Sequence, residues 1–161
     1  MILSSEKVPP FSSPSPRREG HNTGADSARS WIVVVEDNPA DVGLIREALD
    51  EHQVACELTV LTDGERAIAL IDDIDANGSR CPDLVLLDLK LPRRDGCEVL
   101  QRMRASVQCG KMPVVVFTSS DAKEDRQCAE RYGATRYLRK PHSLDEFIDL
   151  GRVFNELLAG S

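Results

Sequence analysis

The chain has 161 residues, 41% of them hydrophobic, enough to bury one ordinary core and short for two. Its formal charge of -7 argues against a general nucleic-acid surface, because phosphate backbones are held by net positive patches. No apolar run approaches the roughly 20 residues needed to span a bilayer, and the N-terminus lacks the basic-then-apolar order of a secretion signal; a soluble, cytoplasmic protein without nucleic-acid or membrane partners is expected.

Residues 1–30 hold seven Ser and four Pro, few aliphatics and no period, so they cannot offset the entropy of ordering and predict a disordered N-terminal tail. Removing that tail's four basic and three acidic residues leaves 16 basic against 24 acidic. From Trp31 the pattern alternates strand and helix five times. Strands are expected near 31–36, 56–61, 83–88, 113–118 and 135–139, each short, rich in Val, Leu and Ile, and bounded by Pro, Gly or acidic residues. Such alternation implies right-handed crossovers and a parallel sheet with helices on both faces.

Helix signals support the count. Asn38 can cap a first helix with Pro39 at its first position, and Val42, Ile45 and Leu49 follow at helical spacing. Asp63 and Gly64 open a second helix with Ala67, Ile68, Ile71 and Ile74 on one face, and Val99, Leu100, Met103 and Val107 mark a third. A fourth starts after Ser120 or Asp121 and stops at Gly133. The fifth has a capping box, Ser143 with Glu146, and then Phe147, Leu150, Gly151, Phe154 and Leu158 on one side.

The five cysteines form no CxxC and no Cys/His metal spacing, and their count is odd; a reducing compartment fits, with Cys56, Cys97 and Cys128 as small core or boundary residues and none in catalysis. His21, His52 and His142 share no spacing that suggests a metal triad.

The chemistry gathers at strand ends. Glu36 and Asp37 follow the first apolar run and Asp88 follows the third, and in an open parallel sheet the carboxyl ends of strands are where ligands bind. Carboxylates about 4 Å apart repel by roughly 4 kcal/mol per pair at an effective dielectric near 20, so the cluster requires positive charge. Lys140, at the end of the fifth run, and a divalent cation with oxygen ligands would supply it. A strand-end carboxylate often only caps a helix or faces water. Here Asn38 already fills the cap position, and Asp88 is followed by Leu89-Lys90-Leu91-Pro92 rather than a helix start. A metal-held carboxylate kept from water is a competent nucleophile toward a phosphoryl group, for which Thr118 and Ser119 are candidate hydrogen-bond donors. Pro141 after Lys140 makes a cis peptide affordable there.

Taken together, Glu36-Asp37, Asp88 with Pro92, Asp95 and Gly96, Thr118-Ser119 and Tyr137-Leu138-Arg139-Lys140-Pro141 resemble the response-regulator receiver domains of two-component signalling. The resemblance covers residues 31–158 and implies a flavodoxin-like (βα)5 fold, a doubly wound five-stranded parallel sheet of order 2-1-3-4-5. It implies Asp88 as phosphoacceptor from a sensor histidine kinase, with Mg²⁺ bound by Asp37, Asp88 and the Lys90 backbone carbonyl and by Glu36 mainly through water. Thr118 and Lys140 would hold phosphoryl oxygens, and Tyr137 would be a switch aromatic that enters space vacated by Thr118. Catalysis would be limited to self-phosphorylation and autodephosphorylation, so the protein is not expected to be an enzyme in the ordinary sense. The Lys90 side chain stands to screen the pocket's charge. With the chain ending soon after the fifth helix, output is expected through protein contacts: a homodimer on the face of helix 4, strand 5 and helix 5, or onward transfer to a phosphotransfer protein. The runs Leu91 to Gly96 and Lys140 to Phe147 look like single-domain regulators that partner phytochrome-type kinases.

A dehalogenase-type phosphatase needs a second aspartate two positions after the nucleophile, where this chain has Lys90. A flavodoxin-like FMN carrier must cradle phosphate in its first loop, where Glu36 and Asp37 repel it. The remaining alternative is a receiver-fold interaction module acting without phosphorylation.

Overall fold

The computed structural model describes residues 29–160. Five strands, β1 (Ser30–Val35), β2 (Cys56–Leu61), β3 (Leu84–Leu87), β4 (Val114–Thr118) and β5 (Arg136–Arg139), alternate with five helices. These are α1 (Pro39–Glu51), α2 (Gly64–Asn77), α3 (Gly96–Arg104), α4 (Lys123–Arg131) and α5 (Leu144–Ala159). All strand pairs are parallel, in the order β2-β1-β3-β4-β5. This is the expected doubly wound flavodoxin-like fold. The expected tail of residues 1–30 lies outside the described residues except for Arg29 and Ser30, and Ser30 already belongs to β1.

Why the central runs show no polar alternation is visible in the two cores. Successive strand side chains point to opposite faces, and both faces are covered. Val33, Val35, Val85, Leu87, Val114 and Val116 pack against Ala67, Ile71 and Ile74 of α2 and Val99, Leu100 and Met103 of α3. Their neighbours Ile32, Val34, Leu84, Leu86, Val115 and Phe117 pack against Ile45 and Leu49 of α1 and Phe147 and Phe154 of α5. Phe117 meets both phenylalanines edge to face, with centroids 5.4 and 6.1 Å away. On this side α1 and α5 approach so closely at Gly151 that a Cβ there would lie 2.2 Å from the Ala48 carbonyl oxygen.

Caps fall largely where the sequence puts them. The Asn38, Asp63 and Ser143 side chains accept hydrogen bonds from the backbone N–H groups of Ala40, Arg66 and Glu146. Two helices differ. α3 ends at Arg104, so Val107 lies beyond it and is 84% exposed. α4 begins at Lys123 with Ala122, which has no side-chain acceptor, at its N-cap; Ser120 Oγ accepts from the Ala122 N–H at 3.2 Å and bonds to Asp125, and Asp121 bonds to Arg126.

The reading of Cys97 and Cys128 as plain core or boundary residues is corrected. They form a disulfide joining α3 to α4, and a second, Cys81–Cys109, joins the loops before β3 and before β4. The pairs are 28 and 31 residues apart: pairing of β3 with β4 brings the loops before them together, and packing of α3 on α4 brings Cys97 to Cys128. Cys56 is the remaining free thiol. Native chain treated with a thiol reagent without reductant is expected to take one label, and reduced, denatured chain five. Reduction should lower stability by about 3–4 kcal/mol per bridge on the loop-entropy model, measured by urea unfolding.

Asp75 ties α2 to the α3–β4 connection, accepting from Ser106 Oγ at 2.6 Å, Arg102 Nη2 at 2.8 Å and the Gln108 N–H at 3.1 Å. The Ser106 hydroxyl first, and then Arg102, hold its carboxyl down to about 2. A depressed carboxyl contributes stability that is complete above its unfolded value near pH 4 and disappears as the pH falls through 2. The stability gap between native chain and Asp75→Asn is therefore expected to be constant above about pH 5 and to close toward pH 2 in acid-unfolding curves.

Candidate functional site

Three backbone hydrogen bonds carry the strand ladders one residue beyond the strands and set the site residues side by side. The Glu36 N–H donates to the Leu61 carbonyl at 2.9 Å, Asp88 to Val35 at 3.0 Å, and Lys140 to Thr118 at 2.8 Å. The carboxyl edge of β1, β3, β4 and β5 thereby presents Glu36, Asp37, Asp88, Thr118 and Lys140 at the point where the strand order reverses.

At the centre sits the Lys140 ammonium. It donates to Glu36 Oε1 at 2.6 Å, Asp41 Oδ2 at 2.8 Å and Asp88 Oδ2 at 3.0 Å, with 9% of its side chain exposed. All three of its protons have acceptors. Burial pulls the Lys140 ammonium down, but the hydrogen bonds to Asp41 and Glu36 and the charge of Asp88 outweigh it and hold the group above its ordinary value, so it stays charged. The peptide before Pro141 is trans, as no cis bond occurs among the described residues. The three carboxylates aim Lys140, and the cis bond allowed by the sequence plays no part.

Glu36 is almost fully enclosed, and its second oxygen accepts from the Asn38 N–H at 3.0 Å. Burial pushes its carboxyl up to about 7; the Lys140 hydrogen bond opposes the rise and the Asp88 charge adds to it. Asp88 Oδ1 accepts from the Lys90 N–H at 3.0 Å, which fixes the carboxylate over its own loop. Each of Glu36, Asp37 and Asp88 offers a carboxylate oxygen within 4.8 Å of the others, and Asp37 is exposed to solvent. An all-oxygen, open, anionic set of this kind suits a hard divalent cation such as Mg²⁺ or Mn²⁺. With all four ionised, Glu36, Asp37, Asp41 and Asp88 against one ammonium carry a net charge of -3 before any cation binds, and a proton on Glu36 reduces it to -2.

The other expected residues take definite places. Thr118 is fully buried at the end of β4, where its Oγ1 accepts from the Ser120 N–H at 3.3 Å; Ser119 beside it is exposed. The Lys90 side chain, expected to screen the pocket, instead pairs with Asp125 of α4 at 3.2 Å. Tyr137 is half-buried on β5, its hydroxyl donating to the Ser120 carbonyl at 2.7 Å, with the Arg126 guanidinium 4.6 Å above its ring. Of the histidines, His52 and His142 lie on opposite ends of helices α1 and α5 and outside the acidic group, and His21 lies outside the described residues. The sequence reading missed Asp41. Its signal was an acidic residue in the first turn of the helix capped by Asn38, whose N-terminus follows the Glu36-Asp37 pair directly.

The response regulator receiver domain family matches residues 32–151. This chain belongs to that family. Response regulator Rcp1 of Synechocystis sp. is 34% identical over 120 residues, covering 74% of this chain and 82% of Rcp1. The phosphorylated cyanobacterial phytochrome response regulator RcpA is similar in structure, with a TM-score of 0.74, 35% identity, and coverage of 82% of this chain and 95% of RcpA. The Mn²⁺-bound form of Rcp1 superposes with a TM-score of 0.70 at 32% identity, over 79% of this chain and 92% of Rcp1. The receiver domain of the sensor histidine kinase PA1611 of Pseudomonas aeruginosa, with magnesium coordinated in its active-site cleft, does so with a TM-score of 0.66 at 27% identity, over 83% of this chain and all of that domain.

The loop after Asp88 depends on a close approach. A Cβ at Gly96 would lie 2.4 Å from Leu89 Cα and 2.6 Å from the Asp88 carbonyl oxygen, both backbone atoms that cannot step aside. Gly43, on the exposed face of α1, has nothing within 4 Å of its Cβ position. Gly96→Ala is expected to cost about 1–3 kcal/mol in urea unfolding, and Gly43→Ala to add about 0.5–1 kcal/mol.

Proposed function

We propose that this receiver domain is a Mg²⁺-dependent phosphoacceptor that takes a phosphoryl group from a histidine of a sensor kinase onto Asp88. The observation that carries the reading is the Lys140 ammonium 3.0 Å from Asp88 in a pocket whose other walls are the Glu36 and Asp37 carboxylates. One Asp88 oxygen attacks phosphorus as the bond from phosphorus to the histidine nitrogen breaks, and the electron pair leaves on that nitrogen. Asp37, Asp88 and the Lys90 carbonyl would hold the ion, with Glu36 reaching it mainly through water. Bound there, Mg²⁺ neutralises charge on the phosphoryl oxygens. Lys140 pairs with one phosphoryl oxygen and the Thr118 hydroxyl donates to another. Hydrolysis of the resulting aspartyl phosphate resets the domain, and no other catalysis is assigned.

The readout runs through Tyr137. Its hydroxyl grips the carbonyl of Ser120, two residues past Thr118, so a movement of Thr118 toward the phosphoryl group is felt at the start of α4 and along β5. A covalent ligand favouring one arrangement shifts the population of the α4-β5-α5 face. That face would then form a homodimer or meet a downstream protein, including a phosphotransfer protein. The likeness to Rcp1 and to the phytochrome response regulator RcpA supports a phytochrome-type kinase as donor. Among the described residues no helix is long and apolar enough to cross a membrane.

Incubation with Mg²⁺ and a small phosphodonor is expected to add one phosphoryl group by intact mass, to be lost with chelator and with Asp88→Asn. Lys140→Met should slow the modification by about 10²-fold or more, as loss of a transition-state charge partner does. Modification that survives Asp88→Asn would exclude this acceptor. No modification of the native chain would favour an interaction module independent of phosphorylation.

A further inference from the structure

Lys140 has three acceptors, and two of them belong to groups that the phosphoryl chemistry needs elsewhere. Asp88 must turn an oxygen to the ion and then to phosphorus, and Glu36 lies in the oxygen group suited to the ion. Asp41 is outside that group, yet its Oδ2 lies 2.8 Å from the ammonium. It is also held independently of the pocket: it sits in the first turn of α1, behind the Asn38 cap and Pro39.

We infer that Asp41 is a positioning residue for Lys140, the acceptor that keeps the ammonium in place when Glu36 and Asp88 are drawn to the ion and the phosphoryl group. The inference rests on the phosphoacceptor reading above. Without Asp41 the third ammonium proton has no protein acceptor, so the charge leans further onto Glu36 and Asp88. There it competes with a cation for the same oxygens and stands off line for the incoming phosphate. The bland account is that Asp41 only favours the helix N-terminus. That role would lower the melting temperature by the same amount whether or not Lys140 is present, and would leave the coupling to metal untouched. A second bland account is direct attraction of Asp41 to the ion, which is likewise indifferent to Lys140.

A double-mutant cycle separates these. Mn²⁺ affinity, read from the free-ion electron paramagnetic resonance signal, is measured for the native chain, Asp41→Asn, Lys140→Met and the double variant, with melting curves on each. Asp41→Asn is expected to weaken Mn²⁺ about fivefold more in the native background than in the Lys140→Met background, the size of coupling usual for touching charged groups. At saturating metal it should also slow phosphorylation of the native chain by about tenfold, and slow Lys140→Met no further. Equal losses in both backgrounds, in a native chain that binds Mn²⁺ and accepts a phosphoryl group, would overturn the role of Asp41 alone. A native chain that neither binds Mn²⁺ nor takes a phosphoryl group would overturn both this inference and the reading beneath it.

Discussion

One buried ammonium holds together a cluster of negative charge that would otherwise push its own scaffold apart. Lys140 sits within 3.0 Å of three carboxylates that come from α1 and from the ends of β1 and β3, while Lys140 itself follows β5. Breaking such a pair by deleting one side leaves an uncompensated buried charge, which costs far more than the intact pair contributes. The arrangement is therefore asymmetric by construction. The single cation neutralises only part of the cluster, and the residual negative charge leaves the pocket attractive to a divalent ion. Phe117, whose ring centroid is 5.9 Å from the ammonium, closes the floor and belongs to the α1–α5 core, so the site and that core share a wall.

The two sides of the sheet are built differently. On the α1–α5 side, large apolar side chains and the close contact at Gly151 make a dense, continuous core. On the other side, α4 contributes only Cys128 and Ala129 to the buried set, and the rest of its nine residues are polar. Its anchors are a few discrete links: the disulfide to Cys97, the Lys90–Asp125 ion pair, and the bonds from Ser120 to Asp125 and from Tyr137 to Ser120. With little buried apolar area of its own, α4 depends on these links to stay docked. The same links touch the acceptor loop through Lys90 and the end of β4 through Ser120, so what happens around Asp88 has a short physical route to α4.

Much of this was legible along the chain because strand ends are where an open parallel sheet exposes chemistry, and each apolar run ended on a polar residue of the right kind. Glu36, Asp37, Asp88, Thr118 and Lys140 could be assembled from order and spacing alone, since parallel pairing forces all carboxyl ends to one edge. Asp41 was not legible. A carboxylate in the first turn of a helix is ordinary, and only the placement of α1 against β5's end turns it toward Lys140. Val107 misled the helical reading because its spacing continued the α3 stripe after the backbone had already left the helix at Arg104.

By itself, then, the amino-acid order determined the number and kind of elements, their caps, the two-faced burial of the central strands and the residues offered at the sheet's edge. These follow from local periodicity and from parallel pairing, which gathers the carboxyl ends on one edge, while the strand order came from the resemblance to receiver domains. Tertiary structure alone decided which groups touch. It turned Lys90 away to Asp125, gave Lys140 a third carboxylate, and joined Cys81 to Cys109 and Cys97 to Cys128. Contacts between side chains dozens of residues apart are set by how helices pack on the sheet, and no local pattern encodes that distance.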